Sequence, residues 1–117
     1  MVLFLNSTFV DHVDVAVTNT LDDQPAWQSV AGRDVLGAIM HVLPKGKQRF
    51  ARITGITVVP GPGPFSRVRA GVTVANTIAF ALGIPLFQYR DGKLRRATKP
   101  IVPHYGGEPN ITKPRKR

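Results

Sequence analysis

The stretch from Ile53 to Gln88 constrains the fold more than any other part of the chain. Ile53 to Val59 is β-branched and apolar, the composition of a central strand. It runs into the rigid turn Pro60-Gly61-Pro62-Gly63-Pro64, then into Phe65 to Leu82, the longest helical pattern in the sequence. Gly83 is a fitting helix stop, and Ile84 to Gln88 reads as a further strand. Strand, helix and strand in this order require a crossover, and therefore a parallel pair.

Upstream, Val2 to Leu5 reads as a short buried strand ended by polar Asn6-Ser7-Thr8. His12 to Thr18 alternates, with Val13, Val15 and Val17 facing one way, which is the signature of a half-buried strand. Asn19 to Pro25 is turn-like, and Ala26 to Val30 closes an antiparallel meander. From Arg33 to Leu43 the period changes: Val35, Leu36, Ile39, Met40 and Leu43 share one helical stripe, opposite Asp34, Gly37, Ala38 and His41. Pro44-Lys45-Gly46-Lys47 ends that helix. The predicted architecture is an α/β domain of ribonuclease H-like kind: a mixed sheet of about five strands with two main helices. That fold analogy carries no activity by itself.

The long helix is apolar over most of its circumference. Phe65, Val68, Val72, Ala75, Ala79 and Leu82 form one seam for packing on a sheet. Gly71, Val74, Ile78 and Ala81 form a second stripe about 100° around the helix. One side faces the sheet, and the other needs the first helix, a partner, or both. In the bland reading the two helices pack side by side. In the sharper one their joint outer face docks another folded chain, with small residues (Gly37, Ala38, Gly71, Ala81) allowing close approach.

A chain of 117 residues fits one domain, since domains commonly run to about 100–150 residues. The absence of cysteine rules out disulfides and thiolate metal sites. The N-terminus lacks a basic n-region, so it does not read as a signal peptide, and no apolar run reaches the length of a membrane span. The expected location is cytoplasmic. The net charge of +9 is uneven, because +7 of it falls from Tyr89 onward. The chain accordingly divides into a lobe, 1–88, and a basic, proline-containing tail, 89–117, expected to be extended. Arg90, Lys93, Arg95, Arg96, Lys113, Arg115, Lys116 and Arg117 are candidate nucleic-acid contacts, weighed against a merely solvated end.

A catalytic constellation does not emerge. A nuclease on this fold needs clustered carboxylates for magnesium, yet the first strand ends in Asn6, and Asp11 and Asp14 lack a third partner. The glycine-rich segment is not followed by the Lys-Ser/Thr of a Walker loop, and Ser66 stands where a dinucleotide fingerprint wants its third glycine. Arg67 and Arg69 could draw an anion to the helix start, but Pro62 and Pro64 each lack an N–H, so a structural turn is the stronger reading. His12, His41 and His104 lie in different elements without metal-ligand spacing. Trp27 reads as packing rather than as a stacking platform. The expectation is a protein that is not an enzyme and has no cofactor or metal.

Gly61-Pro62-Gly63-Pro64-Phe65-Ser66-Arg67-Val68-Arg69-Ala70-Gly71-Val72-Thr73-Val74-Ala75, followed by Ala81-Leu82-Gly83-Ile84-Pro85-Leu86, resembles the signature of the TsaB (YeaZ) family. Gly61, Pro62, Gly63, Phe65, Arg69 and Gly71 match that pattern, whereas Pro64, Ser66 and Arg67 stand where the family has Ser, Thr and Gly. Asn6-Ser7-Thr8 replaces the family's Asp-Thr-Ser. Ile101-Val102-Pro103-His104-Tyr105 is similar to the V-x-P-x-Y ending of full-length members, so the chain resembles an N-terminal lobe whose second lobe is reduced or lost.

The resemblance implies an ASKHA-type fold without a working nucleotide site. It implies an accessory role in making N6-threonylcarbamoyladenosine at position 37 of tRNA, with a TsaD-like catalytic subunit as partner and a TsaE-like ATPase joining them. Family members dock through the helices of this lobe, which maps the partner interface onto Gly37, Ala38, His41, Gly71, Val74, Ile78 and Ala81. A homodimer through the same face suits the same surface, and tRNA contact by the tail is a further expectation. The alternative reading is a small basic RNA-binding module acting through its cationic tail.

Overall fold

A computed structural model describes residues 1–32, 34–45, 50–90 and 93–102. The elements run β1 (Val2–Asn6), β2 (His12–Thr18), β3 (Gln28–Ala31), α1 (Val35–Val42), a short 3-10 turn (Phe50–Arg52), β4 (Gly55–Val58), α2 (Phe65–Leu82), β5 (Leu86–Arg90) and β6 (Lys93–Ala97). They build one mixed sheet in the order β3-β2-β1-β4-β5-β6. The first three strands are the expected antiparallel meander, while β4 lies parallel to both β1 and β5. Each parallel pairing that follows a helix is thus a crossover, as the strand–helix–strand order demands.

Sheet alternation splits the side chains between two faces. Leu3, Leu5, Val13, Val15, Ile56, Val58 and Leu86 point into one buried cluster with Val35, Ala38 and Ile39 of α1 and Val68, Val72, Ala75, Ile78 and Ala79 of α2. Both helices therefore sit on the same face of the sheet. On the other face Val2, Phe4 and Ala16 form a small second cluster with Leu21. Trp27 stands edge-on to Phe4 with ring centroids 6.1 Å apart, a packing role as its sequence context suggests.

The helix ends follow their local chemistry. Asp34 caps α1, its carboxylate accepting from the Gly37 N–H at 2.9 Å. α2 begins after Pro64 without a side-chain cap, and its end is closed by Gly83 at φ 65°, a left-handed conformation suited to glycine.

One expectation is corrected. The chain beyond Asp91-Gly92 does not lose regular structure at once: Lys93–Ala97 is a strand antiparallel to β5 and completes the six-stranded mixed sheet. Its alternation is masked because four of its five residues are charged or small and it lies at the sheet edge, where little has to be buried. Two runs separated by Asp-Gly were the available signal. The resulting β5–β6 hairpin crosses the boundary drawn at residue 88. Residues 103–117, with His104, Lys113, Arg115, Lys116 and Arg117, lie outside the described residues, as do Arg33, Gly46, Lys47, Asp91 and Gly92.

Candidate functional site

The turn that enters α2 is a packing device. Ser7, just after β1, is buried and its Oγ donates to the Arg67 carbonyl at 2.7 Å. A Cβ on Gly71 would overlap that Ser7 hydroxyl, so glycine there lets α2 close onto the end of β1. Gly63 does the same against Thr8 and Val68. Arg67 is 5% exposed, and its Nε donates to the Phe9 carbonyl at 3.0 Å, tying the β1–β2 turn to the helix. Arg69 lies over the Phe65 ring at 5.8 Å. Arg67 is thus engaged within the fold, and Arg69 packs on the first residue of the helix.

The candidate polar residues near β2 hold one another. His12 stacks on Phe9 at 4.3 Å and shares a 2.8 Å hydrogen bond with the Asp11 carboxylate. The Asp11 carboxyl is held below the ordinary aspartate value of 3.8, chiefly by that bond. Asp14 accepts from Ser29 Oγ at 2.6 Å. Among the described residues no group of three or more His, Asp or Glu is placed to hold a metal ion.

The helical face divides differently from the expected stripes. Of the seven residues assigned to a partner interface, Ala38, Gly71 and Ile78 are buried, Gly37 and Val74 are half-buried, and His41 and Ala81 are exposed. Gly37 is small for a local reason, because a Cβ there would strike the capping carboxylate of Asp34. Leu36 and Met40, placed by periodicity on the core stripe of the first helix, are exposed instead, and Ala38 takes the core side. Phe65 and Leu82, the two ends of the α2 seam, are also exposed. The reason is geometric. Sheet and α1 press on α2 together, so its two stripes merge into one broad buried face and its end residues swing clear.

What remains open between the helices is a groove of about 500 Å³. Leu36, 50% exposed, forms one wall with Val35 of α1, and Phe65, 58% exposed, the other with Ala70 and Val74 of α2. Asp34 and Arg69 rim it with opposite charges. An apolar floor with a polar rim is the composition of a protein-docking surface. The signal for Leu36 lay in a second stripe, Val35, Ala38, Ile39 and Val42, which fits helical spacing as well as the one read from sequence.

The family model described as TsaD: tRNA N6-adenosine threonylcarbamoyltransferase matches residues 33–89, just under half of the chain. The structure of YeaZ from Pseudomonas aeruginosa matches with a TM-score of 0.63 at 21% identity, over 77% of this chain and 44% of that one. A second structure, described as an uncharacterized protein with similarity to peptidase YEAZ from Pseudomonas aeruginosa, is 21% identical over 77% of this chain and 43% of its own, with a TM-score of 0.49. No curated protein matches the chain in sequence. The chain spans less than half the length of either solved structure. Among the described residues no helix is long and apolar enough to cross a membrane. The six-stranded sheet with two helices on one face is thus a ribonuclease H-like fold shared with YeaZ, and this chain resembles the TsaB (YeaZ) family.

Proposed function

We propose that this chain is a non-catalytic subunit in the synthesis of N6-threonylcarbamoyladenosine on tRNA, acting in the cytoplasm by binding and activating a TsaD-like catalytic subunit. The observation that carries the reading is the apolar groove between α1 and α2, lined by Leu36, Phe65 and Val74 on a fold shared with YeaZ. Exposed Met40 and His41 extend the surface along α1. Helices of a TsaD-like subunit are its proposed occupant, ridges packing into the groove as in helix pairs generally. A TsaE-like ATPase would join that complex rather than this groove. The buried residues Ala38, Gly71 and Ile78 support the surface from beneath.

The test is co-purification of the tagged chain with the TsaD-like protein of the same organism, using Leu36→Glu and Met40→Glu as docking variants. A complex with the wild type that weakens at least tenfold in either variant, at unchanged melting temperature, supports the proposal. A chain that forms only a homodimer through this groove, or a complex indifferent to both variants, overturns it. A charge at Ile78 is unsuitable for this purpose, since that residue is buried in the core.

A further inference from the structure

The β5–β6 hairpin concentrates positive charge in a way that packing does not require. Its register sets Arg90 directly opposite Lys93 and Gln88 opposite Arg95. Strand alternation puts these four side chains on one face of the hairpin, and together they line a single cleft of about 270 Å³. Like charges directly opposite one another in a ladder are destabilising. Among the described residues neither Lys93 nor Arg95 has an ion-pair partner. Exposed Arg96 and Lys99 follow on the same edge of the sheet.

From this arrangement we propose that the β5–β6 hairpin is an RNA-binding surface that grips the phosphate backbone through Arg90, Lys93 and Arg95. Arg90 and Lys93 stand side by side across the ladder and Arg95 lies two residues further along β6, so the cations spread over two rungs of the hairpin, which suits a chain of phosphates better than one small anion. Arginine matches phosphate oxygens bidentately, lysine serves as a point charge, and Gln88, opposite Arg95, adds a neutral donor. A membrane surface fits less well, because an interfacial anchor also presents large apolar side chains to the lipid. None of the four residues that line the cleft is apolar. The hairpin lies on β5 and β6, at the opposite side of β1 and β4 from β3, so RNA held there leaves the α1–α2 groove to another partner. Choosing tRNA as the RNA rests on the proposed function, whereas the charge argument stands without it.

The experiment titrates the full chain into fluorescently labelled, unmodified tRNA transcript and follows anisotropy over a series of salt concentrations starting near about 0.1 M. The R90Q/K93Q/R95Q variant should bind about tenfold or more weakly, and its slope of log affinity against log salt should fall by about 2 to 3. A K93Q/R95Q variant, which leaves Arg90 in place, should lower the slope by about 1.5 to 2 and guards against a folding effect. Leu36→Glu should bind tRNA like the wild type while losing the TsaD-like subunit, so the two proposals fail separately. The inference is overturned if the hairpin variants keep wild-type affinity and slope. Two other results overturn it as well: loss of binding only when Lys113, Arg115, Lys116 and Arg117 are replaced by Gln, or binding of the chain to phosphatidylserine vesicles without binding to tRNA.

Discussion

The side-chain amide of Asn76, midway along α2, makes both backbone hydrogen bonds of Ile101: its Nδ2 donates to the Ile101 carbonyl, and its Oδ1 accepts from the Ile101 N–H, each at 2.9 Å. The amide behaves as a one-residue strand. It holds the segment after β6 against the helix, where the Ile101 side chain enters the core.

Asn76→Ala removes a donor and an acceptor together and leaves two backbone groups of a buried residue to find water. The expected loss is about 1–3 kcal/mol of stability, with faster amide exchange at Ile101. Asn76→Asp keeps the acceptor only, so the Ile101 N–H should stay more protected in it than in the alanine variant. Equal exchange in the wild type and Asn76→Ala would show that the amide does not pin the segment.

Gly71→Ala should destabilise the fold by about 1–3 kcal/mol, because the added methyl meets the Ser7 hydroxyl in a filled space. Pairing it with Ser7→Gly should recover part of that loss, although the hydrogen bond to the Arg67 carbonyl goes. A double-mutant cycle in denaturant measures the coupling. Strictly additive effects would contradict direct contact.

Leu36 and Ile39 lie on one short helix, yet α1 turns the first outward and the second fully inward. Leu36→Ala should shift stability by no more than about 0.5 kcal/mol. Ile39→Ala should cost about 2–5 kcal/mol through the cavity it leaves. Thermal and urea melts of the isolated chain check both, and similar losses would place Leu36 in the core.

Asp11 should titrate below 3.8, because the hydrogen bond to His12 favours its charged form. A depressed carboxyl pKa contributes stability above the unfolded value and loses it as pH falls through the folded one. The contribution is small, since Asp11 lies on the surface. Carboxyl chemical shifts followed by NMR should show the midpoint rising toward 3.8 in His12→Ala. An unchanged midpoint would assign the shift to some other cause.

Much of this molecule was legible in local pattern. Alternating valines marked β2, and a β-branched run leading into Pro-Gly-Pro-Gly-Pro marked the passage from β4 to α2. Gly83 marked the end of that helix. The motif around Gly61 to Gly71 carried the family resemblance, and the shared fold agrees with it. The candidate docking surface was legible only in outline. Periodicity located two apolar helices, but in α1 it allowed either Leu36 and Met40 or Ala38 and Val42 on the inner side.

Period, turn chemistry and capping depend on residues a few positions apart, so the sequence alone determined most of the elements, their order and the crossover that makes the sheet mixed. Which helical face turns inward depends on how α2 is pressed between the sheet and α1, and that sum of distant contacts was decided only by the tertiary structure. The same holds for the sixth strand, whose polar edge needed the pairing partner β5 to become visible, and for the row of cations, which exists only once β5 and β6 lie side by side.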